Sequence, residues 1–317
     1  MRWVSRRIML WIGWALIGAY ATAYAAGQPQ VASSGLSAGM RFQECPACPL
    51  MTVIPAGRFT MTRKSATDGR RDDDPEGTPK TRPAREVTIG SAFAIGVYPV
   101  TVQEFDVFVR DTHRPVEQGC YVQNEGTWVF DASKDWSHPG FTQSPRHPVT
   151  CVSWNDAQDY VQWLNGKSQE SASKSAGMGR YRLPTWEEIE YAAAAGTTTS
   201  YYWGDQPQRD KANYGRDRCL PCGPYAQGAD RWLYTSPVGS FPPNAFGLYD
   251  MAGNVWQWAQ RCQPDPGSMP PKVCRSQVLH GGSWLSNPEY LRTGEYSLAD
   301  VRHRNYHIGF RVLRTLS

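Results

Sequence analysis

Two Cys-x-x-Cys pairs, Cys45 with Cys48 and Cys219 with Cys222, carry the most direct chemical meaning in this 317-residue chain. Thiols at that spacing serve a zinc site, a dithiol redox centre or a disulfide. The two pairs stand too far apart for a zinc ribbon, and neither opens a helical pattern after a strand as a thioredoxin-like centre would. Disulfides are the expected state. Cys120, Cys151, Cys262 and Cys274 complete a set of eight cysteines whose connectivity the sequence does not fix. Other chemistry-bearing clusters have plainer readings. Asp72-Asp73-Asp74 could hold a metal or a partner, but its Pro- and Gly-rich surroundings read as a solvated loop. Glu187, Glu188 and Glu190 could be catalytic carboxylates; grouped at a helix start, they read as acids that offset the helix dipole. No phosphate loop, GxGxxG, GxSxG or HExxH motif occurs.

The elements that must position such groups are legible in part. Composition is that of a globular chain, 40% hydrophobic and 20% charged with net charge +4, and no long basic run points to nucleic acid. Thirteen Trp, 16 Tyr, 29 Gly and 24 Pro describe a loop-rich fold pinned by aromatic anchors. Met51–Met61 (MTVIPAGRFTM) reads as strand, turn and strand, and Val87–Val100 returns to strand pattern. Three helices are expected: one from the capping box Thr101-Val102-Gln103-Glu104 to about Asp111, one starting at Ser153 or Asn155, and one from Thr185-Trp186-Glu187-Glu188 that stops at Gly196. Beyond Gly196 only short aromatic strands and turns follow, which makes the fold α+β. Trp203, Trp232, Trp256, Trp258 and Trp284 gather in this half, as loop anchors or as the lining of a groove.

The N-terminus reads as an address. Arg2, Arg6 and Arg7 precede the charge-free stretch Ile8–Ala25, which ends in the small-x-small site Ala23-Tyr24-Ala25. Residues 1–25 are therefore expected to be a signal peptide, 26–44 a linker and 45–317 the folded remainder. The expected location is periplasmic or secreted, with membrane contact only if this segment stays uncleaved. Ser5-Arg6-Arg7 also has the look of a twin-arginine signal.

From Cys45 to about Arg314 the chain resembles the formylglycine-generating enzymes, or sulfatase-modifying factors. The matching segments run in order: Met51–Met61, Phe93–Thr101 (FAIGVYPVT), Pro148–Ala157 (PVTCVSWNDA), Tyr181–Ala193 (YRLPTWEEIEYAA), Pro242–Trp258 (PPNAFGLYDMAGNVWQW), Gly281–Trp284 (GGSW) and Gly309–Arg311 (GFR). The resemblance implies a variant of the C-type-lectin-like fold, low in regular secondary structure. It also implies a domain that oxidises a cysteine of sulfatases to formylglycine, using O₂ and copper held by two cysteines just after the GGS-aromatic motif. At those positions stand Ser286 and Leu291. A hydroxyl and an isobutyl group cannot replace soft thiolates, so copper is not expected. In the implied active-site region, Glu289 is the one candidate acid or base, Arg292 a further contact and Ser286 a hydroxyl with no base beside it. Cys120–Cys151 and Cys262–Cys274 are the pairings expected to hold the loops.

The resemblance further implies two structural calcium sites. One would use Asn213, the Tyr214 carbonyl, Asp230 and the Trp232 carbonyl. The other would use Asp250, the Gly253 and Val255 carbonyls, and Gln257, which stands where the family has Glu. Two kinds of relative lack the thiol pair. Thiol-histidine sulfoxide synthases bind iron through H-x3-H-x-E; His303 and His307 have the first spacing, but residue 309 is Gly and Ile308–Arg311 reads as a strand. A periplasmic relative acts in pyoverdine maturation. The expected function is thus an exported binding or accessory protein for a peptide or small-molecule ligand. The alternatives are oxidative tailoring of an exported molecule, and cysteine oxidation by a mechanism foreign to the family.

Overall fold

The computed structural model describes residues 36–61, 84–115, 117–124, 126–171, 178–215, 230–261 and 275–316. Of two compact units, Met1–Gln30 and Val31–Ser317, the first lies outside these residues. So do the expected signal segment, Asp72-Asp73-Asp74, Cys219 with Cys222, and Cys262 with Cys274.

The strands form where apolar residues are close-set. Strand β1 (Arg41–Phe42) pairs with β2 (Met51–Ile54), all four of whose residues are buried. The first described strand thus lies ahead of Cys45. After the Pro55-Ala56 turn, β3 (Gly57–Met61) forms a hairpin with β4 (Arg85–Ile89), and β5 (Phe93–Gly96) returns to pair with β2. These elements match the strand, turn and strand pattern of the sequence.

Side chains start each helix. Around α1 (Val102–Thr112), Thr101 accepts from the Glu104 N–H while the Glu104 carboxylate accepts from the Thr101 N–H. For α2 (Trp154–Ser171), Ser153 plays that part with Asp156 as its reciprocal partner. For α3 (Trp186–Ala194) the pair is Thr185 and Glu188, and Arg182 forks onto the same Glu188 carboxylate. The exit of α3 takes two left-handed steps, at Ala195 and Gly196. Between α1 and α2 lies a hairpin of β6 (Cys120–Asn124) and β7 (Thr127–Asp131), and β8 (Met178–Arg182) precedes α3.

The second half supplies β9 (Trp256–Ala259), β10 (Ser276–His280), a short 3-10 helix (Pro288–Leu291), β11 (Tyr296–Asp300), β12 (Ile308–Phe310) and β13 (Leu313–Leu316). One sheet has the order β1-β2-β5-β13-β8 and another β11-β10-β9-β12, in which β12 and β9 run parallel and the other neighbours antiparallel. Because side chains alternate along a strand, the second sheet sends Trp256, Trp258, Leu279, Ile308 and Phe310 to a core shared with α1 and α2. It sends Ala259, Val278, Tyr296 and Leu298 to a core shared with α3. The result is an α+β fold low in regular structure.

Hydrogen-bonded side chains hold the loops. Asn244 donates to the Ala192 carbonyl and accepts from the N–H groups of Phe246 and Leu248. The buried Trp258 indole donates to the Val152 carbonyl. Disulfides close Cys45 to Cys48 and Cys120 to Cys151. The second is the expected pairing; the first makes that Cys-x-x-Cys a cross-link and not a metal site.

Candidate functional site

The turn after β10 is set by two glycines. Gly281 and Gly282 have φ of 96° and 71°, and a Cβ on either would lie 2.8 Å from the Met251 carbonyl oxygen or 2.7 Å from Leu291 Cδ1. No other residue fits both the conformation and the space. The turn delivers Ser283, fully buried, and brings Ser286 back onto it: the Ser283 N–H donates to Ser286 Oγ at 2.9 Å, and the two hydroxyl oxygens lie 3.1 Å apart. Ser283 Oγ in turn lies 3.3 Å from His307 Nδ1. A chain of three hydrogen-bonding groups thus runs Ser286, Ser283, His307.

That chain borders a cavity of about 640 Å³. The second sheet forms one wall with Trp256, Leu279, Ser297 and Ile308, and Leu285, Asn287 and Tyr290 continue it past Ser286. The β6–β7 hairpin forms the facing wall. Gln123 pairs with Trp128 across the hairpin, and Tyr121 lies two residues from Gln123, so all three side chains leave the same face. His303, Asn305 and His307 come from the turn before β12. Each imidazole is backed by a hairpin ring: Tyr121 stacks on His303 with centroids 4.9 Å apart, and Trp128 lies 5.1 Å from His307. Burial, with His303 adding a smaller like-charge effect, pulls the His307 imidazole down to about 3. Burial also lowers His303, against the opposing pull of Asp300. Both shifts favour the neutral ring.

The four residues expected near the active site separate. Ser286 borders the cavity. Leu291 is buried beside Gly282 and packs in a small cluster with Tyr201 and Tyr214. Glu289 and Arg292 both act on the Tyr201 hydroxyl, and neither is among the cavity-lining residues. Among the described residues no cysteine lines the cavity, and the described cysteines are all in disulfides. This donor set does not fit a copper ion that needs two thiolates. Of the five gathered tryptophans, Trp256 alone lines the cavity, and Trp258 and Trp284 are buried anchors. Glu190 departs from its expected place as an acid that offsets the helix dipole. It is buried, accepts from the Gly294 N–H and meets His280 Nε2 at 2.9 Å. The sequence had also given no weight to Tyr121, Gln123, Trp128 and Ser283.

The two sets of oxygens expected around calcium differ. In the first, Asn213 Oδ1 is buried with no hydrogen-bond partner, an atom that a hard cation would satisfy. The buried Asp230 carboxylate accepts from the Trp232 N–H and more weakly from that of Tyr214, with Arg209 at 3.7 Å. In the second, every side-chain group is engaged. Asp250 accepts from the Gly239 N–H and from Asn254, the Gln257 amide donates to the Asp250 carbonyl, and Arg311 donates to Gln257 Oε1. Gly253, left-handed at φ 78°, and Val255 complete that turn. In both sets the carboxylate already accepts from backbone N–H, and a guanidinium stands close, Arg209 in the first and Arg311 in the second; the first differs in that Asn213 Oδ1 has no hydrogen-bond partner. No group of three His, Cys, Asp or Glu is placed to hold a metal among the described residues.

The comparisons with known proteins agree with this architecture. The model of the sulfatase-modifying factor enzyme 1-like domain matches residues 38–316. The structure of PvdO from Pseudomonas aeruginosa superposes with a TM-score of 0.67 at 32% identity, covering 88% of this chain and 99% of that one. The chain is 33% identical over 292 residues to the formylglycine-generating enzyme of Mycobacterium tuberculosis, covering 74% of this chain and 91% of that protein. It is 32% identical over 268 residues to the inactive C-alpha-formylglycine-generating enzyme 2 of Bos taurus, covering 75% and 77%. The chain belongs to the sulfatase-modifying factor enzyme 1-like family, together with formylglycine-generating enzymes and a relative named as inactive.

Proposed function

We propose that this protein is a family member that works without a copper–thiolate centre, as an exported binding or accessory protein whose ligand enters the cavity at Ser286. One observation carries the reading: the position expected for a copper cysteine is a serine hydroxyl, tied to Ser283 in the wall of a cavity with no thiol among its described lining residues. The similarity to a relative named as inactive is in keeping with it. Export is argued from the basic and apolar N-terminal segment, and disulfides suit an oxidising compartment. Asn213 and Asp230 are the residues that would hold a calcium ion, which would tie the 213–214 segment to that around Asp230. The 32% identity to PvdO favours a second reading, an enzyme that modifies an exported small molecule or peptide.

The test incubates purified protein with copper, O₂ and a Cys-x-Pro-x-Arg peptide. No aldehyde is expected. Copper-dependent aldehyde formation would refute the proposal.

A further inference from the structure

The cavity carries more information than its volume. Among the described residues no Asp, Glu, Lys or Arg lines it, and burial favours the neutral form of its two imidazoles. An ionised ligand group would lose its hydration there with no counter-charge to replace it. Most of the lining is apolar: aromatic faces from Tyr121, Trp128, Trp256 and Tyr290 on the two sides, and aliphatic side chains between them. The polar remainder is amide, hydroxyl and imidazole, and Ser286 and His307 are the two ends of the hydrogen-bonded chain. Trp128 is 42% exposed although it borders the cavity, so its indole keeps a broad apolar surface uncovered.

The Ser286–Ser283–His307 chain adds a specific feature. A hydroxyl both donates and accepts, and a neutral imidazole has one nitrogen of each kind. The chain can therefore run in either direction. With His307 Nδ1 protonated, Ser283 donates to Ser286, and the Ser286 O–H is left to donate to a ligand. With the proton on Nε2, Ser286 donates toward Ser283, and its oxygen accepts from a ligand. A ligand hydroxyl satisfies both arrangements. A carbonyl satisfies one.

From these observations we infer that the cavity binds an uncharged, planar aromatic ring bearing a hydroxyl group, with the ring held between the hairpin and sheet aromatics and the hydroxyl at Ser286. This rests on the proposed function in taking the cavity as a binding site, and it adds the ligand's chemical class.

The probe is 2-naphthol, with binding to the full protein followed by tryptophan fluorescence and calorimetry at neutral pH. Saturable 1:1 binding is expected, with Kd roughly 100 μM for a molecule of this size. Trp128→Ala removes a partly exposed side chain and should weaken binding at least about tenfold. Ser286→Ala should weaken 2-naphthol but not naphthalene, and 2-naphthoate should bind at least about tenfold more weakly than 2-naphthol. Equal binding of naphthoate, binding unchanged in both variants, or binding of methyl glucoside in place of the aromatic would overturn the inference. The peptide assay reads out aldehyde and not ring binding, so the two ideas fail separately.

Discussion

His280 Nε2 and Glu190 Oε2 meet at 2.9 Å with both side chains shut from solvent, directly beneath the Gly281-Gly282-Ser283 turn. The other Glu190 oxygen accepts from the Gly294 N–H at 2.6 Å. One carboxylate thus ties α3 to both ends of the loop that carries Ser286. Glu190→Ala strands a buried imidazole and a backbone N–H, and should cost about 3 kcal/mol of stability. Glu190→Gln keeps the volume and one acceptor and should cost less. Urea unfolding midpoints measure both, and an unchanged midpoint in Glu190→Ala would show that the pair does not hold the loop.

Acid should find the His307 turn. Its ordinary value of 6.5 applies to the unfolded chain, and the folded value is about 3. Between the two, the unfolded state binds the proton and the folded state does not, so stability falls as pH drops from 6.5 towards 3. The loss approaches about 1.4 kcal/mol per pH unit in that window and vanishes above it. His147 and His303, lowered by burial, act in the same direction. Glu104 and Asp250, raised by burial, act in the opposite one. The comparison of wild type with His307→Asn therefore isolates the residue: the variant should lose stability less steeply between pH 6 and pH 4. Parallel curves would contradict the neutral, enclosed imidazole.

The helices and the turn within Met51–Met61 were legible because their signals are local. A threonine followed three residues later by glutamate satisfies backbone groups of its own helix, whatever packs on it. The cavity was not legible, since it is assembled from segments as far apart as Tyr121 and Ile308 and depends on register. Tyr121, Gln123 and Trp128 share a face only because Gln123 pairs with Trp128, and nothing local fixes which face turns inward. Glu190 was misread although a signal existed. It stands four residues after Trp186 and three before Ala193, on the buried side of α3, past the first turn where a dipole acid belongs. Leu291 was placed with Ser286 by family position alone, whereas its side chain packs against Gly282 and in the Tyr201 cluster.

The Cys120–Cys151 disulfide anchors the hairpin wall at its base, and both half-cystines are fully buried. Removing it with the paired changes Cys120→Ala and Cys151→Ala should cost about 3 kcal/mol. Hydrogen exchange should accelerate first in Cys120–Asp131, which also carries Tyr121, Gln123 and Trp128. Acceleration spread evenly over the domain would show that the hairpin is held by its other contacts.

Calcium should act through one set of oxygens. If Asn213 and Asp230 hold the ion, saturating calcium should raise the melting midpoint by about 5 °C over EDTA-treated protein. Asp230→Asn should abolish the response and Asp250→Asn should leave it. A midpoint indifferent to both EDTA and calcium would remove the proposed ion.

The central claim is that the pocket at Ser286 has no place for copper. Titration of the purified, oxidised protein with Cu(I) against a chromophoric chelator measures this directly. The account predicts no binding able to compete with the chelator. Stoichiometric, high-affinity Cu(I) uptake that is lost in Ser286→Ala would contradict it.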